Sequence, residues 1–243
     1  MKKNTLVTFI EKYNIGLVES VKIVSDGTTL KTSFISDDKS VAGTVVAKDF
    51  PLEKCELSIF DTAKLKSFIK ILEDEIQISL NKTDDDKLIN IALSDTKLSA
   101  DFMLSDPSVI PNPPKIKEVK EFDVEIPITD DFIDVFTKSK NSLPDVDSFT
   151  LMMNKKTDKL ELVIGYSTVN SNRVKMDIKP TAGKDKVTKP ISFNSNYFKD
   201  ILNKNSEAVG AVFKVSAIGI ATVTFSTTEF DATYYLIRKE LEG

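Results

Sequence analysis

The feature that most constrains the fold is one order of elements that occurs four times along the chain. The clearest copy, from Cys55 to Met103, reads as a strand, a helix whose apolar residues recur every three or four positions, and three strands of alternating apolar and polar residues. Further copies begin near Phe122 and Pro190, and the N-terminal copy has little or no leading strand. Each copy therefore predicts a βαβββ unit.

Pairs of these copies predict an α+β fold. Repeats of roughly 50–60 residues can also form a solenoid. Solenoid repeats of that size, however, are mostly helical or carry one strand each, whereas each copy here has three or four strands. Two copies supply about eight strands and two helices, which suits a domain with both helices on one face of antiparallel sheet.

A proline-rich stretch marks the boundary between the two pairs. Four of the nine prolines are Pro107, Pro111, Pro113 and Pro114. Proline breaks helices and is a poor residue for a central strand, so the stretch predicts an extended connector. We expect two similar domains at 1–104 and 120–243, joined by a connector at 105–119.

Missing residue types exclude most catalytic classes. The chain has no histidine and no tryptophan, and Cys55 is its only cysteine. Hydrolysis that depends on imidazole and zinc sites ligated by histidine are therefore excluded, as are an internal disulfide and a thiolate metal cage. A hydrolase with paired carboxylates is the enzymatic alternative, although no such pair stands out. We expect a binding or structural protein without a cofactor.

The hydropathy and net charge of the chain indicate where the protein is located and which partners it binds. No window approaches the ~18 apolar residues that a membrane span requires, so a reduced cytoplasm and no membrane contact are expected. Lysine and arginine number 33 against 37 aspartates and glutamates, giving a net charge of −4. An acidic balance by itself argues mildly against nucleic acid as a partner.

Two stretches of sequence resemble a known family. They are Leu57–Asp61, continuing along the helix to Leu72, and Asp101–Val109 with the prolines that follow. Both resemble the sliding clamps, or DNA polymerase processivity factors, of T-even-type bacteriophages. The architecture of four βαβββ units in two DNA-clamp domains covers the whole chain, while the local match is weaker in the second half.

The resemblance implies a ring-forming protein. It implies a homotrimer of six similar domains, with helices lining the hole and sheets forming the outer wall. Double-stranded DNA would thread the hole without sequence-specific contacts, and the ring would tether the replicative DNA polymerase after an ATP-driven clamp loader places it. It also implies a part in late transcription and the cytoplasm of an infected bacterial host. The alternative from another class is a phage structural or assembly protein built of β-rich domains.

Lysines on the polar sides of the four helices are the candidate DNA contacts. In the second helix, Lys66 and Lys70 are expected opposite the apolar stripe, with Lys64 beside them. The third helix departs from the pattern, because its aspartates outnumber its lysines. The predicted DNA-facing residues are Lys2, Lys3, Lys12, Lys64, Lys66, Lys70, Lys138, Lys140, Lys199 and Lys204.

The alternative for these lysines is an ordinary solvated helix face. Fourfold repetition and the family resemblance favour the DNA-facing interpretation. Arginine occurs only at Arg173 and Arg238. Lysine acts as a mobile point charge, so a lysine-rich lining attracts phosphates without fixing a register.

Apolar residues of the connector and the C-terminal strand form the second candidate site. The resemblance implies that partner tails dock between these two segments. The predicted pocket residues are Leu104, Val109, Ile110, Tyr235 and Leu236, and Ile116 is a further apolar connector residue. The alternative is a linker that pins its apolar residues onto the two cores.

Two strands with clean alternation are the candidate subunit contacts. Lys97–Phe102 and Arg173–Ile178 are both expected at sheet edges, where head-to-tail pairing closes a ring. The predicted interface residues are Lys97, Leu98, Ala100, Phe102, Val174, Met176 and Ile178. In the alternative, charged residues (Lys97, Asp101, Arg173 and Lys175) protect these edges and the chain stays monomeric.

Overall fold

The computed structural model describes residues 1–112, 119, 121–167, 171–183 and 186–240. The chain divides into two compact units with discontinuous boundaries. Unit 1 comprises Met1–Ile35, Gly43–Pro114 and Thr228–Ala232, and unit 2 comprises Ser36–Ala42, Lys115–Thr227 and Thr233–Gly243. The predicted boundaries, 1–104 and 120–243, are continuous. Ser36–Ala42 belongs instead to unit 2, and Thr228–Ala232 belongs to unit 1.

Unit 1 contains two helices and two antiparallel sheets. In the first sheet β4, β1, β2 and β3 are neighbours in that order, and the second sheet has the order β5-β6-β7. In chain order the elements are α1 (Lys3–Tyr13), β1 (Val21–Ser25), β2 (Leu30–Ile35), β3 (Val41–Ala47, in unit 1 from Gly43 onward), β4 (Cys55–Ile59), α2 (Thr62–Lys70), β5 (Gln77–Lys82), β6 (Leu88–Ser94) and β7 (Ser99–Met103). A short 3-10 helix follows at Pro107–Val109.

Unit 2 repeats this arrangement. One sheet has the order β12-β9-β10-β11, and in the other β8, β13, β14 and β15 are neighbours in that order. The elements are β8 (Val124–Pro127), α3 (Asp130–Asn141), β9 (Ser148–Asn154), β10 (Lys159–Ile164), β11 (Val174–Ile178), β12 (Ile191–Asn194), α4 (Ser195–Asn203), β13 (Val212–Ser216), β14 (Ile220–Ser226) and β15 (Phe230–Ile237, in unit 2 from Thr233 onward).

The N-terminal copy lacks a full leading strand. In unit 2, β8 fills that position and pairs with β13. In unit 1 an isolated bridge between Lys2 and Glu75 stands at the equivalent place, and the Ile76 amide donates to the Met1 carbonyl at 2.8 Å. The predicted βαβββ order with a reduced first strand is confirmed.

The helices form where apolar residues recur at helical spacing and polar residues cap the start. In α1 the side chains of Leu6, Phe9, Ile10 and Tyr13 are buried. The N-cap residue of α2, Asp61, accepts a hydrogen bond from the Lys64 amide at 2.7 Å. Within unit 1, α1 packs beside α2, and within unit 2, α3 packs beside α4.

Phenylalanines fill the core of unit 2. The ring centroids of Phe198 and Phe213 are 4.6 Å apart, and those of Phe149 and Phe198 are 4.9 Å apart. The connected rings belong to Phe132, Phe136, Phe149, Phe193, Phe198 and Phe213. They come from two helices and three strands, so the cluster holds the helix pair against both sheets. Across the described ranges, no helix has the length and apolar character needed to cross a bilayer.

Candidate nucleic-acid interface

The helix pair of unit 1 is strongly basic. Together α1 and α2 carry five lysines and one glutamate. By contrast, α3 carries three aspartates and two lysines, and α4 carries one of each charge. The cationic character predicted for the first, second and fourth helices is therefore concentrated in unit 1, and α3 departs from it as expected.

Solvent-exposed lysines lie on α2. Lys64 and Lys70 are exposed on either side of Ala63 and Ser67, which also face solvent. Lys66 is half-buried, and its Nζ lies 2.5 Å from Oε1 of Glu11 on α1. The prediction that Lys66 and Lys70 form the exposed centre is thus corrected: Lys64 replaces Lys66, which joins the two helices.

Lys12 of α1 was predicted on the polar side and is instead buried. Its exposed fraction is 1%, and its Nζ lies 5.4 Å from the centroid of the Phe230 ring. At 100° per residue, Lys12 borders the apolar stripe beside Phe9, so its aliphatic stem lies within the core. Lys12 is therefore not placed to contact DNA.

The two lysines at the start of α1 differ from each other. Lys2 is exposed, whereas Lys3 is half-buried. The Nζ of Lys3 donates to the carbonyl of Leu72 at 2.5 Å and lies 3.9 Å from Asp74. A lysine that supplies the end of α2 with a donor has less freedom to follow a phosphate than Lys2 has.

In α3 the lysines are engaged within the protein. Lys138 is exposed and pairs with Asp134 one turn earlier at 2.5 Å. Lys140, with an exposed fraction of 2%, donates to the carbonyls of Leu143 and Pro144. Burial, and then the nearby Lys199, lower the pKa of Lys140. The prediction that Lys140 faces DNA is therefore wrong, because its ammonium group caps the turn after α3.

The lysines of α4 lie at its middle and its end. Lys199 is half-buried, and its Nζ lies 3.4 Å from Oδ1 of Asn141. Lys204 is the half-buried C-cap residue. Sequence reasoning, which considered only lysines, missed the neutral polar residues Asn4 and Ser67 on the exposed helix faces of unit 1. Their positions opposite the apolar stripes would have identified them.

The predicted peptide pocket is only partly accessible. Leu104, Val109 and Ile110 belong to unit 1, and Tyr235 and Leu236 to unit 2. Val109 is 55% exposed, while Leu104 and Tyr235 are half-buried.

Two of the five pocket residues are corrected. Ile110 and Leu236 have exposed fractions of 2% and 1%. Leu236 occupies the inward side of an alternating strand, and Ile110 turns inward after the 3-10 helix. Pro113, Pro114 and Ile116 lie outside the described residues.

The predicted interface strands lie at sheet edges, as expected. In the strand orders, β7 and β11 each have one neighbour. Ala100, Phe102, Met176 and Ile178 are buried within their own units, however, because alternation turns them toward the sheet's covered face.

The accessible part of these edges is therefore backbone and outward side chains. Lys97 and Leu98 are exposed before β7, Met103 is exposed at its end, and Val174 is half-buried. Lys97 pairs with Glu73. That these strands join subunits remains a prediction.

Comparisons with known proteins place the fold. Neither a protein-family model nor a curated protein sequence matches the chain. The structure is similar to that of proliferating cellular nuclear antigen from Entamoeba histolytica, with a TM-score of 0.71 and 13% identity over 98% of this chain and 96% of the other. It is also similar to A. fulgidus PCNA bound to the C-terminal region of FEN-1, with a TM-score of 0.71 and 14% identity over 100% and 98%. The chain thus has the α+β fold of PCNA sliding clamps, with two repeated domains.

Proposed function

We propose that this protein is a sliding clamp that encircles duplex DNA and has no catalytic activity of its own. The observation that carries the proposal is the repeated βαβββ architecture of the clamp fold, with a basic helix pair in unit 1. Lys2, Lys64 and Lys70 are its exposed cations. Lysines without arginine on these helices attract phosphates but do not fix a register.

Binding through a ring is topological. A closed ring stays on DNA because it cannot pass a blocked end, so contacts with phosphates can remain weak. The affinity for free linear DNA should therefore be low and should fall steeply with salt. The net charge of −4 does not oppose this function, because the positive charges are gathered on particular helices.

The proposed assembly is a homotrimer closed by head-to-tail pairing of β7 with β11. Both are sheet-edge strands, and an edge strand offers unpaired backbone groups to a second chain. Because the two edges differ, each chain presents one of each kind, and closing the ring pairs every β7 edge with a β11 edge.

The proposed partners are the replicative DNA polymerase and an ATP-dependent clamp loader, with a role in late transcription of a T-even-type phage inside its bacterial host. Support for tail docking comes from the A. fulgidus neighbour, which binds the C-terminal region of FEN-1. In this chain, exposed Val109 with half-buried Leu104 and Tyr235 are the residues that remain available for such a tail.

Retention on DNA of different topology tests the proposal. The protein is loaded with a clamp loader onto nicked circular DNA, and half of the sample is then linearised with a restriction enzyme. We expect the protein to remain on the circle during gel filtration and to leave the linear form. Equal retention on both forms would contradict topological binding.

Charge reversal tests the DNA-facing helices. Lys64→Glu/Lys70→Glu/Lys199→Glu should reduce loading and processive synthesis by about tenfold or more, because three attractive charges become repulsive. The matched control is Lys31→Glu/Lys54→Glu/Lys179→Glu, which changes three exposed lysines outside the helices by the same total charge. Equal loss in both variants would refute the assignment of the interface.

A further inference from the structure

Unit 2 contains two adjoining clefts that the DNA-tethering role does not use. Their volumes are about 460 Å³ and 750 Å³, and both are lined by Thr188, Lys189 and Pro190. The first cleft extends to Arg238 and Lys239, and the second to Met152 and Lys156. We call the two clefts together the basic groove.

The charge of this groove is opposite to that of the whole chain. Seven lysines and arginines line it against two carboxylates, Glu161 and Glu240. Over the full sequence, acidic residues outnumber basic ones by 37 to 33. Such a local excess of positive charge attracts an anionic ligand.

Several of these cations have no salt-bridge partner among the described residues. Lys155, Lys156 and Lys189 are exposed and form no salt bridge with any residue in the described ranges. Lys186 lies 3.8 Å from Asp123, and Arg238 lies 3.9 Å from the exposed Glu240. The groove therefore has positive charge that the carboxylates of the described residues do not neutralise.

The walls of the groove are held in place by backbone contacts. The Lys239 amide donates to the Ser192 carbonyl at 2.7 Å, and the Arg238 amide donates to the Gly219 carbonyl at 2.7 Å. Gly219 has φ +90°, and a Cβ there would lie 2.3 Å from Cδ of Arg238. The absence of a side chain at Gly219 thus lets the Arg238 stem lie close to this turn.

The buried carboxylate in the second cleft is already satisfied. Oε1 of Glu161 accepts a hydrogen bond from Nδ2 of Asn154 at 2.5 Å, and Oε2 lies 3.6 Å from Nζ of Lys175. Glu161 therefore neutralises Lys175 and leaves the neighbouring lysines available.

The remaining lining is aliphatic and not aromatic. Met152, Met153 and Pro190 supply accessible apolar surface, and no phenylalanine or tyrosine among the described residues lines either cleft. Proteins that bind single-stranded nucleic acid stack bases on aromatic side chains. A duplex is too wide to enter clefts of this volume. Flexible methionine surface next to cations suits a peptide that carries both carboxylates and aliphatic side chains.

We propose that the basic groove of unit 2 binds an extended segment of a partner protein that alternates acidic and aliphatic residues. Carboxylates of the segment pair with Lys155, Lys156 and Lys189, and its aliphatic side chains lie on Met152 and Pro190. This site differs from the predicted pocket at Leu104, Val109 and Tyr235, and it does not depend on DNA encirclement.

Binding of a defined probe to the full-length protein tests the site. The probe is a short fluorescein-labelled peptide of alternating glutamate and leucine, and fluorescence anisotropy reports its binding. The control peptide replaces every glutamate by glutamine. We expect Lys156→Glu/Lys189→Glu to weaken binding by about tenfold or more, since two attractive charges become repulsive. The matched variant Lys31→Glu/Lys54→Glu, with the same change in net charge, should bind as the unmodified protein does.

Four outcomes would overturn the proposal. They are absence of peptide binding, equal binding of the glutamine peptide, equal weakening in both variants, and preferential binding of an oligothymidine or a DNA duplex to the groove. Circular dichroism of both variants checks that they are folded. Failure of this site would leave topological retention on circular DNA unchanged, so the two proposals are separable.

Discussion

At the scale of single residues, the lysines of the four helices divide into those that solvent reaches and those that protein atoms cover. Lys64 and Lys70 belong to the first group, and Lys12 and Lys140 to the second. A buried lysine contributes through its methylene stem and its hydrogen bonds, whereas an exposed one contributes charge. The two groups should respond differently to the same substitution.

Truncation of two lysines tests this division. Lys12→Ala should lower the free energy of unfolding by about 2 kcal/mol, because the buried stem is lost. Lys70→Ala should change it by less than about 0.5 kcal/mol. Urea denaturation followed by circular dichroism measures both. Equal values for the two variants would contradict the burial of Lys12.

The Asp106 carboxylate has a distinct pH dependence. It accepts hydrogen bonds from the Ser108 amide at 2.9 Å and the Ser108 hydroxyl at 2.7 Å, and it pairs with Lys87. These contacts, the amide first, lower the pKa of Asp106 from 3.8 to about 2. Since the folded pKa is depressed, the turn at Pro107–Val109 is favoured above about pH 4 and loses this contribution as the pH falls toward 2.

The Ser108 amide resonance should follow this titration. We expect a midpoint near pH 2 in an NMR titration and no transition in Asp106→Asn. A midpoint at the ordinary aspartate value of 3.8 would show that the hydrogen bonds do not hold the carboxylate in solution.

At the scale of elements, each helix depends on how its first turn is satisfied. Oδ1 of Asn194 accepts hydrogen bonds from the amides of Asn196 and Tyr197 at 3.0 Å and 3.1 Å. From the sequence, Asn196 is an equally good candidate for the cap of α4, because two asparagines flank Ser195 and either can cap a helix. Only the structure decides which asparagine is the cap, because β12 ends at Asn194 and the helix begins at the next residue.

Replacing the two asparagines separately distinguishes cap from helix. Asn194→Ala should destabilise the protein by about 1 kcal/mol, because two amides lose their acceptor. Asn196→Ala should alter stability by less than about 0.5 kcal/mol. Thermal unfolding gives the comparison, and a larger cost at Asn196 would mean that the cap is misplaced.

Strand and helix order could be predicted because the periodicity of apolar residues changes from two to about three and a half at each junction. The sequence could not predict which residues of the candidate site are accessible to solvent. Leu236 alternates with Tyr235, yet both looked like apolar pocket residues, and only the covered face of β15 separates them. Burial of Ile110 likewise depends on the turn at Asp106, which no periodicity describes.

At the scale of the whole molecule, the average charge conceals its distribution. A net charge of −4 includes a basic helix pair, a basic groove in unit 2 and an acidic first turn of α3. The position of lysines opposite the apolar stripes predicts part of the basic helix pair. The basic groove could not be predicted from the sequence, because its cations lie far apart along the chain, at Lys156, Lys189 and Arg238 among others.

Oligomeric state tests the role of the β7 edge. Leu98 and Met103 are exposed apolar residues at the two ends of this strand. Leu98→Glu/Met103→Glu should shift the protein from trimer to monomer in analytical ultracentrifugation, because it places charge in an apolar contact. Val209→Glu/Ile218→Glu, which changes two other strongly exposed apolar residues, should remain trimeric. A wild-type monomer, or trimers in both variants, would contradict this interface.

The phenylalanine cluster of unit 2 gives the protein a built-in spectroscopic reporter. Six packed rings form the cluster, with Phe198 and Phe149 at its centre, and the chain has no tryptophan to mask their signal. Ring currents should displace the methyl resonances of neighbouring residues such as Leu151 and Ile201, which are fully buried. Loosening of unit 2 can therefore be followed by the collapse of these upfield shifts, without attaching any label to the protein.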